Sequence, residues 1–142
     1  MPATDLKGIW TYRSFRNTEE AVGEFNKLTV WEAELSIDAD EDSSAFVGHL
    51  GERPAIASAN EACLHVTGVY FEGVPSTVRW RAVGKKCSEF DGWIYDYSGI
   101  LSATWPDGTS GNVPTITGTV TRTVKHGAMP STRATWFKMG NE

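Results

Sequence analysis

The stretch 91–99, DGWIYDYSG, sets three aromatic rings, Trp93, Tyr95 and Tyr97, at alternate positions, with the carboxylate of Asp96 between the last two. A carboxylate held between aromatic walls is desolvated, which raises its pKa toward the value a general acid needs at neutral pH. Glu32 and Glu34 are two residues apart, so on an extended strand they share one face, and His65 is a second kind of proton carrier. Tyr95, Tyr97 and Arg122 carry donors able to stabilise negative charge as it develops. These residues are the parts of acid–base chemistry that needs neither metal nor cofactor. The same rings, with Tyr12, Trp31 and Trp80, are equally the parts of a wall that binds a flat molecule without transforming it.

Which role is open to each residue depends on the elements that carry it. Period-two alternation dominates the chain and helical period is almost absent. Gly8 to Arg16, GIWTYRSFR, is the first strand, followed by a polar loop to about Asn26. Leu28 to Ile37 is the second, with Thr29, Trp31, Ala33, Leu35 and Ile37 on one face and Val30, Glu32, Glu34 and Ser36 on the other. The acidic turn DADEDSS leads to a third strand, AFVGHLG, and ERPAIASANEA reads as a loop or one helical turn. Cys63–Phe71 and Ser76–Gly84 are the fourth and fifth strands, and the sixth runs from Gly92 to Trp105. After the turn PDGTSGN come Pro114–His126, with Thr at every second position from 115 to 123, and a last strand, STRATWFKM. Short, evenly spaced strands with glycines inside them predict one all-β domain over residues 1–142, an eight-stranded antiparallel up-and-down barrel.

The apolar phase then assigns the interior. It takes in Trp10 and Tyr12; Trp31, Leu35 and Ile37; Phe46 and Leu50; Leu64, Val66 and Tyr70; Val78 and Trp80; Trp93, Tyr95, Tyr97 and Leu101; Ile116, Val120 and Val124; and Ala134 and Trp136. The opposite phase holds Glu32, Glu34, His49, His65, Arg79, Arg81 and Asp96 as solvent-facing cross-strand partners. Arg122 breaks the pattern, because it is in phase with Ile116 and Val120 and so points inward, where its fork of donors must be filled by protein or by ligand. Lys138, in phase with Trp136, raises the same question near the chain end.

Composition narrows the classes. The 142 residues carry a net charge of −5 and no basic patch, which argues against nucleic acid, and six Trp, which suit cavity walls as well as cores. The start, MPATDLKGIW, has no apolar signal core and no apolar run reaches the about 18 residues of a membrane span, so the expected setting is cytoplasmic, with no membrane partner. Cys63 and Cys87, in separate strands or strand ends, could form one disulfide, but an unexported chain usually keeps its thiols reduced. The Cys and His residues lack ligand spacing. The run Asp38, Asp40, Asp42 lacks the Gly and Glu that a calcium loop places at its sixth and twelfth positions, so no metal is expected.

With the strands laid out, LKGIW becomes informative. A Gly-x-Trp entering the first strand of an eight-stranded barrel resembles the calycins, the group of lipocalins, fatty-acid-binding proteins and avidins, and Trp10 matches the Trp that plugs the closed end of those barrels. ITGTVTRTV and STRATWFK are similar to the last strands of avidin-type barrels, and GIWTYRSFRN, GWIYDYSG and TGTVTR resemble small lipocalin-like domains of microbes. The resemblance implies a calycin-like fold whose cavity binds one apolar or amphipathic small molecule. Some relatives by architecture are cofactor-free isomerases, cyclases or lyases. The chain departs from secreted lipocalins in lacking their paired disulfides and signal peptide.

Three readings follow. In the first, a small, largely apolar or aromatic molecule binds among Tyr12, Trp31, Trp80, Trp93, Tyr95 and Tyr97, with Arg122 holding its acid or carbonyl group. In the second, Glu32, Glu34, Asp96 or His65 performs acid–base catalysis on such a molecule, as an isomerase, cyclase or lyase would, which requires those residues to face the cavity. In the third, the aromatic strand faces outward and forms the seam of a homodimer.

Overall fold

The computed structural model describes residues 3–15, 29–102, 114–123 and 134–141, with the backbone alone at 4–5, 29–30 and 134–141. Strands β1 (Gly8–Phe15), β2 (Thr29–Asp38), β3 (Ala45–Gly51), β4 (Leu64–Phe71), β5 (Ser76–Gly84), β6 (Ile94–Ser102) and β7 (Thr115–Arg122) each pair antiparallel with the next. The result is an all-β, seven-stranded meander curled strongly into an open half-barrel; the all-β antiparallel up-and-down class is the one the period-two pattern predicts, whereas the expected closed eight-stranded barrel is a finer reading than this sheet supports. The backbone of β8 (Ala134–Asn141) is registered against both edges of this sheet, with Phe137 opposite Gly118 of β7 and Met139 opposite Tyr12 of β1, which brings the strand order round to its start. Two short helical pieces accompany the sheet, a 3-10 turn at Ala3–Leu6 and α1 at Ala55–Ser58.

The phase read from the sequence matches the buried face over most of the described side chains, with Phe15 and Glu34 as buried residues of the opposite phase. Trp10, Leu35, Leu50, Leu64, Val66, Val78 and Ile116 are fully or almost fully buried, and Tyr12, Phe46, Tyr70, Trp80, Tyr97 and Val120 nearly so. Each such side chain contributes about 1.5–3 kcal/mol by leaving water. Val124 and the side chains of Ala134, Trp136 and Lys138 lie outside the described residues, as do positions 103–105 of the expected sixth strand.

The two ends of the curled sheet are finished differently. At one end the 3-10 turn lays Ala3 and Leu6 against the core, and the Trp10 indole N–H donates to the Leu6 carbonyl at 2.8 Å. At the other end a β-bulge between Ser14 and Phe15 turns both residues inward, although strict alternation would send Phe15 outside with Arg13. There the chain between β5 and β6 folds back as a laced turn. Ser88 donates from its backbone and its hydroxyl to the Lys85 carbonyl, at 3.2 and 2.7 Å, and Trp93 N–H donates to the Phe90 carbonyl at 2.9 Å. Gly84 makes this possible, because a Cβ at that position would overlap the Phe90 carbonyl.

Candidate ligand-binding site

Aromatic residues line the inner face from the middle of the sheet to the end that the 85–93 turn covers. In the middle, Tyr97 of β6 stacks on Trp80 of β5, its register partner, with centroids 4.7 Å apart and planes 14° from parallel. Phe46 meets Trp80 edge-on from behind, at 6.3 Å. Gly68 leaves room for this pair, since a Cβ there would lie 2.7 Å from Trp80 Cβ and would overlap the Phe46 ring. Toward the covered end, Tyr12 meets Trp31 at 5.8 Å, Trp31 meets Phe90 at 5.9 Å, Phe90 meets Trp93 at 4.8 Å and Trp93 meets Tyr95 at 6.3 Å. Burial falls along this series. Tyr12, Trp80 and Tyr97 are buried, whereas Trp31, Trp93 and Tyr95 are half-buried around Phe90.

Two polar features sit on this wall. The Tyr12 and Tyr97 hydroxyls are 2.9 Å apart within the core. Burial pushes Tyr12 up to about 12, against the opposing hydrogen bonds from Tyr97 and Ser14, and it holds Tyr97 well above the ordinary tyrosine value. Both therefore stay neutral donor–acceptor groups throughout the physiological range. Arg122 lies directly across from Tyr95 in the β6–β7 register, so the two share the inner face, and its guanidinium carbon is 5.9 Å from the centre of the Tyr95 ring. Burial raises the Tyr95 pKa, and the charge and hydrogen bond of Arg122 oppose that rise. All seven residues expected to line a ligand site thus stand on one wall, and Arg122 is at its half-buried end.

The four acid–base candidates are on the opposite, outer face. Asp96 receives Arg81 Nε at 2.8 Å and Nη2 at 3.1 Å, and the Thr123 hydroxyl donates to it at 2.6 Å. The Arg81 hydrogen bond, helped by that of Thr123, lowers the Asp96 pKa against partial desolvation, the reverse of what a general acid needs. Glu32 pairs with Arg13 at 2.9 Å, both side chains exposed. Glu34 shares the outer phase but is not solvent-facing as the alternation suggests. Its Oε1 accepts the Ala55 N–H at 3.0 Å and its Oε2 meets Arg53 Nε at 3.3 Å, so α1 and the residues before it cover the carboxylate to 5% exposure. Arg13 and Arg53 are the guanidiniums that the β1–β2 register and the 52–58 segment bring alongside these two carboxylates. His65 is exposed and lies opposite His49.

Phe90 is the wall residue that sequence reasoning missed. It sits in SEFDG, a turn whose polar neighbours mask it, and the residual signal is an aromatic placed between a strand-ending Gly84 and an Asp-Gly step. Cys63 is buried and Cys87 exposed, both as free thiols, and burial raises the Cys63 pKa. No group of three His, Cys, Asp or Glu able to hold a metal is present among the described residues. No family model matches the chain, and neither does any curated protein.

Proposed function

We propose that this protein binds a small, flat, largely apolar or aromatic molecule bearing an acid or carbonyl group, against the ring-lined inner wall of the sheet. The reading takes the curled sheet, with β8 between its edges, as an eight-stranded calycin-like barrel. The observation that carries it is the run of Trp31, Phe90, Trp93 and Tyr95 at one half-buried end, with the guanidinium of Arg122 over Tyr95. Binding sites of this kind are mostly apolar, with a few placed polar groups that fix orientation. Stacking on the rings supplies affinity, and Arg122 supplies the charge that selects an anionic or carbonyl oxygen. The catalytic alternative needs Glu32, Glu34, Asp96 or His65 at the ligand, and their places on the outer face favour binding over acid–base turnover by those groups.

The test is tryptophan fluorescence titrated with a panel of aromatic and polyene carboxylates, their neutral methyl esters and saturated acids of equal size. The expected result is saturable quenching by planar carboxylates, weakened roughly 10- to 100-fold in Arg122→Gln, as the loss of a hydrogen bond to a charged group worth about 1.5–3 kcal/mol implies. A flat response across the whole panel would mean that the rings only fill the core.

A further inference from the structure

The outer face carries a pair of imidazoles that the binding wall does not use. His49 of β3 and His65 of β4 are direct cross-strand partners, with ring centroids 5.0 Å apart and planes at 67°. Residues so placed have Cβ atoms about 4.5–5.5 Å apart, close enough for both rings to reach one point above the sheet. We propose that His49 and His65 form a two-histidine site for a single borderline transition-metal ion, with Cu(II) bound most tightly.

The separation of the rings is the first support. A metal ion about 2.0–2.1 Å from one nitrogen of each ring lies about 3.2 Å from each centroid, so right-angled to tetrahedral coordination sets the centroids about 4.5–5.2 Å apart. The observed 5.0 Å falls inside that window. Rigidity is the second support. β3 is hydrogen-bonded to β2 and β4, and β4 to β3 and β5, so both ligands stand on interior strands of the sheet, with Ser36 and Val83 as the next register partners outward.

The surroundings select the ion. Cys63, two residues before His65 and just ahead of β4, is buried, and its Sγ lies 4.0 Å from the Ala59 carbonyl, beside α1. Lys85 contributes positive charge near His49, with its ammonium donating to the Ala59 carbonyl at 3.1 Å. The outer-phase carboxylates flanking Ser36 are engaged elsewhere, Glu34 by the Ala55 N–H and Arg53 and Asp38 by Lys7, so the pair offers two imidazoles, a donor set that favours an ion of strong imidazole preference over Mg(II) or Ca(II), and that preference peaks at Cu(II). Two protein ligands leave the remaining coordination positions to water or an external ligand.

The experiment titrates the full chain with Cu(II), Zn(II) and Mg(II) by calorimetry and records the Cu(II) EPR spectrum of the one-to-one complex. The expected result is one Cu(II) per chain with two coordinated imidazole nitrogens, weaker Zn(II) binding and no Mg(II) binding. His49→Asn and His65→Asn should each weaken Cu(II) about a hundredfold, the advantage lost when a chelate becomes a single attachment. His126→Asn is the control and should leave affinity unchanged. Cu(II) binding that survives either outer-face substitution, follows His126, or shows a single imidazole nitrogen in the parent protein would overturn the assignment, and the spectrum of the parent decides even where a variant folds poorly.

Discussion

Raising the pH above 10 should destabilise this protein through two particular residues. Tyr12 and Tyr97 are buried with their hydroxyls 2.9 Å apart, and burial holds both pKa values above the unfolded-state value near 10, Tyr12 at about 12 and Tyr97 well above its ordinary value. The unfolded chain loses these protons first, so stability is fully present below pH 10 and falls as the pH climbs toward the folded-state values. For Tyr12 the linkage integral gives a loss of about 1.4 kcal/mol at pH 11 and about 2.3 kcal/mol at pH 12. Tyr97 acts in the same direction, and the loss is set against the about 5–15 kcal/mol typical of a whole domain. The assay is tyrosinate absorbance at increasing pH, recorded together with far-UV circular dichroism and with denaturant midpoints at each pH. Tyr12 and Tyr97 should ionise only as the strands melt, and Tyr12→Phe should remove one of the late ionisations. Full tyrosinate absorbance with a midpoint near 10 and an intact β spectrum would refute the burial argument.

Two further outcomes follow from the outer face. Glu34→Ala leaves the Ala55 N–H and the Arg53 guanidinium without the carboxylate that now holds them, so the loss should be about 1–3 kcal/mol in denaturant melts, with new proteolytic cleavage confined to residues 52–60. Because Arg81 and Thr123 lower the Asp96 pKa, this residue contributes stability that is present above the unfolded carboxylate value and lost as pH falls through the folded one. The Tm difference between the parent and Asp96→Asn should therefore be small at neutral pH, where exposed pairs contribute little, and should vanish in acid; a difference that grows on acidification would contradict the pairing.

Much of the sheet was legible because its physics is local. Period two in LTVWEAELSI and WIYDYSGIL places alternate side chains on opposite faces whatever the partner strand, so the aromatic wall and the outward Asp96 follow from spacing alone. What stayed hidden depends on distant chain. Glu34 looks solvated within its strand and becomes buried only because a four-residue helix, too short to show a period, docks over it. Phe90 looks like a turn residue because its burial comes from the return of the 85–93 segment across Gly84, a close approach that alternation does not encode. Phe15 enters the core through a bulge, which shifts phase by one residue without any marker in the surrounding GIWTYRSF. The apposition of His49 and His65 is a matter of register, invisible until two strands are aligned.

The unequal ends of the sheet bear on how the proposed ligand would exchange. At one end Ala3, Leu6 and Trp10 belong to the buried core, and the Trp10 indole is tied to the Leu6 carbonyl. At the other, among the described residues, the ring of Phe90 rests on Trp31 and Trp93 at the tip of a turn. If the proposed ligand enters on that side, displacing this one phenyl ring is a step common to its arrival and its departure, and a substitution at Phe90 would change both rates together.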